Sequence, residues 1–233
     1  NDKAEDIKVL MFMTNLHNKA EKKGGAIYSL MGNHEFMNVD GDMTYVSYAN
    51  LNEFGGEDGR QIAFKPGNKM ANYLACTRKI ALIIGSNLFV HAGFEPEFVE
   101  KYNINDINKL MALYLLNDLE NPSIFKEDFM VKSTSPLWTR TFGNINMPNS
   151  ECSRLMRPLE SVYKVGRIFV GHTPQFEKGI NSICNGKIWK TDIAISNGFN
   201  NIDTNLIMNG KKSKYRKRKL LEILNDKDIK IIS

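Results

Sequence analysis

Apolar positions first repeat with a helical period and later gather into short continuous runs. Between residues 7 and 23, Ile7, Leu10 and Met11 share one stripe, widened by Val9, Met13, Leu16 and Ala20. That spacing predicts an amphipathic helix. Asp2, Glu5 and Asp6 favour its start, Lys19, Lys22 and Lys23 favour its end, and Gly24-Gly25 stops it. The run from Ala26 to Met31 reads as a buried strand ending in the loop Gly32-Asn33-His34-Glu35. Residues 36–79 read as loop and short helix, broken by Gly41, Gly55-Gly56, Gly59 and Pro66-Gly67. A hairpin follows, with Ile80–Ile84, the turn Gly85-Ser86-Asn87, and Leu88–His91. Residues 105–117 carry Ile107, Leu110, Met111, Tyr114 and Leu115 at helical spacing, and Ser135–Arg140 opens an irregular loop. A helix over 150–163, despite Pro158, leads into a strand at 167–171. Two hairpins close the chain, one turning at Asn185-Gly186 and one at Asn225–Asp228. Asn-Gly is a strong short hairpin signal.

Helices come first and the last strands arrive as hairpins. This order predicts a mixed α/β (α+β) sandwich, two mixed sheets flanked by helices, rather than a strict βαβ barrel. A length of 233 residues and an even profile predict one domain. The hydrophobic share of 42% and charged share of 24% are those of a soluble globular protein. No apolar run approaches the roughly 20 residues of a membrane span, and the chain opens without a signal-like segment. Cys76, Cys152 and Cys184 form neither a paired framework nor a CxxC site. Free thiols in a reducing, cytoplasmic compartment are the expectation. Much of the net charge of +5 lies in the block Lys211–Lys219. It reads as a solvated basic loop feeding the last hairpin, which argues against a nucleic-acid partner.

The chemistry concentrates in histidine. Of four histidines, three follow apolar runs beside small residues: His34 in Gly-Asn-His-Glu, His91 in His-Ala-Gly, and His172 in Gly-His-Thr-Pro. Any one could be a satisfied structural histidine, but the joint pattern points to a site. Neutral imidazole and amide oxygen are ligands for zinc, iron or manganese. Asn33, His91 and His172 would give one ion an N,N,O set with open positions, as a catalytic metal needs. His17 lies on the first helix and is assigned no role.

In this order, GNHE, VHAGFEP and VGHTPQ resemble the calcineurin-like metallophosphoesterases. Within them, the chain is similar to phosphoprotein phosphatases of the Shewanella-like, bacterial-type branch. Met37–Asp42 followed by Tyr45-Val46, Ser135–Trp138 with Arg140, and Ile188–Asp192 carry that finer likeness. The resemblance implies a serine/threonine phosphatase with two divalent metal ions, manganese first, with iron or zinc as alternatives. It implies that Asn33, His91 and His172 bind one metal and that His34 is the general acid. It also implies that Arg140 grips the phosphate and that a metal-bridging hydroxide attacks phosphorus directly. The partner is then a phosphoprotein or phosphopeptide, with no membrane involved. A dinucleoside-polyphosphate-type phosphoesterase and a degenerate phosphoprotein-binding scaffold remain alternatives.

The family's GDxH and GDxxDRG blocks, expected before GNHE, are absent. The chain therefore reads as one catalytic domain lacking its N-terminal portion. Asp40, Asp42 and Asp192 read as loop residues or as residues behind the ligands, not as substitutes for the missing carboxylates. Trp138 and Trp189 read as packing residues.

Overall fold

The computed structural model describes residues 4–144, 146–176, 178–196, 199 and 218–232. They form two compact units. One joins the chain up to Ala81 with Ile104–Lys132; the other joins Leu82–Asn103 with the described residues from Ser133 onward.

The first unit is largely helical. It contains α1 (Asp6–Glu21), the two-residue strand β1 (Ser29–Leu30), α2 (Asn33–Val39), α3 (Tyr48–Asn52), α4 (Glu57–Phe64) and α5 (Lys69–Thr77). Strand β2 (Arg78–Lys79) then pairs in parallel with β1. The predicted strand over 26–31 is therefore much shorter. Part of the reason is His17, whose Nδ1 accepts the Ile27 N–H at 3.2 Å and so engages a backbone group that a ladder would use. The predicted loop over 32–35 also differs, because Asn33 already begins α2. The span 36–79, read as loop and short helix, is short helices joined by loops, with breaks at Gly41, Gly55-Gly56 and Pro66-Gly67, whereas Gly59 lies inside α4.

The second unit is built on a five-stranded sheet. Its strands are β3 (Ala81–Ile84), β4 (Asn87–Val90), β5 (Arg167–Val170), β6 (Asn181–Ile183) and β7 (Ile188–Lys190), in the order β3-β4-β5-β7-β6. The predicted Asn185-Gly186 turn joins β6 and β7 as antiparallel neighbours. Around it, Cys184, Asn185 and Gly186 all have positive φ. Strands β4, β5 and β7 run parallel. Leu88, Val90, Ile168, Val170 and Ile188 are buried in the core. Phe89, Phe169 and Trp189 sit in register, with successive ring centroids 4.8 and 6.2 Å apart. Such cross-strand aromatic pairs fix register as well as stability.

Three helices complete the path: α6 (Pro96–Lys101) in the second unit, then α7 (Ile104–Leu115) and α8 (Pro122–Phe125) in the first. In the first unit, Phe36, Tyr114, Phe125 and Phe129 form a ring cluster with neighbouring centroids 4.7–5.8 Å apart. The helix predicted over 150–163 is α9 (Asn149–Pro158), continued by a π-helical turn at Leu159–Tyr163. The change of winding falls directly after Pro158. The last hairpin, β8 (Leu220–Leu224) with β9 (Asp228–Ile232), is as predicted. Its turn residue Asp226 accepts the Ser86 N–H at 2.9 Å and pins the hairpin to the β3–β4 turn. Residues 211–217 of the basic block lie outside the described residues. No helix among the described residues is long and apolar enough to cross a membrane.

The free-thiol expectation is corrected for two cysteines. Cys152 on α9 and Cys184 at the end of β6 form a disulfide, with Cα atoms 5.5 Å apart. The sequence hides this because the partners meet only when α9 packs beside the β6–β7 turn. Cys76 is a free, exposed thiol. With its ends 32 positions apart in sequence, the bridge lowers the entropy of the unfolded chain by an amount worth roughly 3–4 kcal/mol. The double variant Cys152→Ser/Cys184→Ser is therefore expected to lose stability of about that size in urea denaturation. In the native protein, alkylation should mark Cys76 alone. Three reactive thiols, with unchanged stability in the variant, would contradict the bridge.

Candidate functional site

In the second unit, the parallel strands β4, β5 and β7 deliver their carboxyl ends to one edge of the sheet. The residues just beyond are His91, Gly171-His172 and Thr191-Asp192. Gly171 N–H donates to the His91 carbonyl at 2.8 Å, and Thr191 N–H donates to the Val170 carbonyl at 2.8 Å. The edge is thus tied together beyond the last ladder pairs. Polar groups at the carboxyl ends of parallel strands are a common place for ligands.

His172 has an unusual backbone. Its φ is +62°, and Thr173 N–H donates across it to the Gly171 carbonyl at 2.6 Å. A three-residue turn of this hand at a non-glycine residue costs about 1–3 kcal/mol. The side chain is held at both nitrogens. Nε2 lies 3.1 Å from the Trp138 carbonyl, and Nδ1 lies 3.1 Å from Nε2 of His91. A carbonyl only accepts, so Nε2 of His172 carries the proton and Nδ1 keeps its lone pair. That lone pair faces the other imidazole.

This pair passes a simple test of fit for a divalent ion. Nitrogens 3.1 Å apart can both lie about 2.1 Å from one ion. A carbonyl behind a ligating imidazole, fixing its tautomer, is the usual supporting arrangement. Without an ion, His91 Nε2–H donates to His172 Nδ1; to ligate there, His91 must carry its proton on Nδ1 instead. Among the described residues there is no cluster of three or more His, Cys, Asp and Glu side chains suited to a metal. By themselves the two histidines would supply only part of a ligand set.

The loop carrying Trp138 is itself anchored. Ala92 N–H donates to the Pro136 carbonyl at 2.9 Å, linking the loop to the residue after His91. Thr139 Oγ1 donates to Glu95 Oε1 at 2.9 Å. Glu95, only 7% exposed, also pairs with Arg154 at 3.1 Å. Gly93 has no room for a side chain: a Cβ there would come within 2.1 Å of the Phe142 ring. The glycine of His91-Ala92-Gly93 is therefore a close-approach residue. Arg140 is exposed, and its Nη1 donates to the His172 carbonyl at 3.3 Å. Burial raises the carboxyl pKa of nearby Asp192, against the Ala194 N–H bond and the charge of Arg140, which lower it. The second unit thus brings together His91, His172 and Arg140.

In the first unit, Asn33 and His34 open α2. Glu35 Oε2 accepts the Gly32 N–H at 2.7 Å, which fixes the entry to the helix. Asn33 is 5% exposed, whereas His34 is exposed. The His34 imidazole stacks on Tyr45, with centroids 4.8 Å apart and planes within 6°. Asn38 donates to the His34 carbonyl at 2.9 Å and accepts from Arg60 Nε at 2.7 Å. Arg60 in turn pairs with Asp6 at 2.6 Å. Asp40 pairs with Lys126, and Asp42 accepts the Thr44 N–H at 2.9 Å. Both aspartates are thus engaged by neighbouring groups.

Sequence reasoning missed three contributors. The Trp138 carbonyl is a backbone group and leaves no trace in residue type. Glu95 lies inside the VHAGFEP block, four residues after His91, and that shared block was the available signal. Tyr45 was noted only as part of a motif.

The calcineurin-like phosphoesterase family model matches residues 6–176. An uncharacterized protein of Acanthamoeba polyphaga mimivirus is 34% identical over 261 residues, covering 96% of this chain and 98% of its own length. Shewanella-like protein phosphatase 2 of Arabidopsis thaliana is 26% identical, covering 83% of this chain and 59% of its own length. Among solved structures, a cold-active protein tyrosine phosphatase superposes with a TM-score of 0.62 at 24% identity. That match covers 79% of this chain and 54% of the other, and it bears on fold alone. The chain thus spans little more than half the length of the phosphatases it matches. With the family model matched over most of its length and the strand-end histidines facing each other, the chain belongs to the calcineurin-like phosphoesterase family, whose members use divalent metal ions.

Proposed function

We propose that the protein is a metal-dependent phosphomonoester hydrolase acting on phosphoserine and phosphothreonine in proteins. The observation that carries this reading is the His91–His172 pair, with one lone pair fixed by the Trp138 carbonyl. The name of the plant relative, a Shewanella-like protein phosphatase, supports a protein substrate.

In this reading Asn33, His91 and His172 would hold one ion, manganese first, with iron or zinc as alternatives. A second ion needs carboxylates of the GDxH and GDxxDRG kind, which this sequence does not contain. Bound divalent ions would activate water and neutralise phosphate charge. The chain's own residues do the rest. Arg140 grips two phosphate oxygens with its planar fork. His34 gives a proton to the departing alkoxide, a poor leaving group at neutral pH. Trp138 keeps His172 in the tautomer that offers Nδ1.

The first test is phosphate release from phosphoserine, phosphothreonine and phosphotyrosine peptides and from a dinucleoside polyphosphate, at equal concentration with manganese. The serine and threonine peptides are expected to turn over fastest, and EDTA should abolish turnover. His34→Ala should lower kcat on them by roughly 10²–10⁴-fold. Turnover that persists in EDTA, or a preference for the dinucleotide, contradicts the reading. Phosphotyrosine preference would overturn its serine/threonine part.

A second test weighs the metal directly. His91→Ala and His172→Ala should each lose at least one equivalent of manganese retained after gel filtration, with circular dichroism unchanged. Full retention in both variants would remove these histidines from the ligand set.

A further inference from the structure

The reading above leaves open what aims His34. Its imidazole is exposed and has no hydrogen-bond partner among the described residues. An exposed side chain of this kind changes rotamer on a ps–ns timescale unless something holds it. A general acid must instead present one N–H to the leaving oxygen within hydrogen-bond reach.

The chain supplies a holder. Past the end of α2, Asp40 N–H donates to Phe36 O, Gly41 N–H to Asn38 O, and Asp42 N–H to Met37 O. Gly41 has φ +85°, the left-handed conformation that ends a helix and turns the chain. A second turn, closed by Val46 N–H to Met43 O at 2.9 Å, follows at once. Together they carry Tyr45 back to the opposite end of α2, where its ring lies flat on His34. Tyr45 is 68% exposed, so burial does not explain its placement. Asp42 is pinned by Thr44 N–H at 2.9 Å and Thr44 Oγ1 at 2.5 Å. Its carboxylate lies within electrostatic reach of the same imidazole.

We infer that Tyr45 is a positioning residue, a stacking clamp that fixes the plane of the His34 imidazole so that its N–H points at the leaving group. This rests on the reading of His34 as the general acid. The ring does the work; the hydroxyl is dispensable. Ring stacking at this separation is one of the favoured aromatic arrangements.

The experiment compares two substrates of different leaving-group quality with manganese present. A phosphoserine peptide releases a poor leaving alkoxide and needs the acid, whereas p-nitrophenyl phosphate releases a phenolate that needs it far less. Tyr45→Leu should lower kcat on the phosphopeptide by roughly tenfold or more and on p-nitrophenyl phosphate by less than about threefold, with KM unchanged. Tyr45→Phe should stay within about twofold of wild type on both, because the stack survives. In His34→Ala, adding Tyr45→Leu should change nothing further.

Equal losses on both substrates, a loss confined to KM, or a Phe variant as poor as the Leu variant would each overturn the clamp. If His34→Ala itself shows no leaving-group dependence, the acid assignment fails and the clamp fails with it. If His34→Ala shows that dependence and Tyr45→Leu does not, the acid assignment stands and the clamp alone is wrong.

Discussion

The geometry of the second unit's site depends on one strained residue. His172 sits at φ +62° inside a three-residue turn, an uncommon and strained conformation for a residue other than glycine. It persists because its ring is fixed at both ends, by the Trp138 carbonyl on Nε2 and by His91 on Nδ1. The carbonyl decides the chemistry. With Nε2 committed as a donor, Nδ1 keeps its lone pair and can serve as a ligand without a prior change of tautomer.

That small arrangement explains much of what surrounds it. Parallel pairing of β4, β5 and β7 places three loop starts on one edge. The aromatic row of Phe89, Phe169 and Trp189 fixes the register on which their alignment rests. The Ser135–Arg140 loop must be rigid if its carbonyl is to choose a tautomer, and the buried Glu95, bonded to Thr139 and paired with the exposed Arg154, makes it so. With Arg154 exposed, the pair adds little net stability. Its value here lies in placing the loop.

Much of this was legible in the sequence. Hairpins at Asn185-Gly186 and Asn225–Asp228 were written in turn residues, and the strand-end histidines in short apolar runs. The legible features are local, set by residues adjacent in the chain. What escaped was non-local or lay in the backbone. The Cys152–Cys184 bridge needs α9 beside a hairpin turn. The shortness of β1 reflects in part His17, ten residues away, accepting from Ile27. The tautomer of His172 rests on a carbonyl, which every residue has. Tyr45 meets His34 only because Gly41 turns the chain back along α2.

The central claim is that His172 offers Nδ1 to a divalent ion because Trp138 holds its Nε2–H. Proton NMR of the cobalt-loaded protein reads this directly, since exchangeable N–H signals of ligating imidazoles shift far outside the ordinary range. The account predicts a shifted His172 Nε2–H that exchanges slowly with solvent and disappears in His172→Ala. A His172 bound through Nε2, or a shifted spectrum unchanged in that variant, would contradict it.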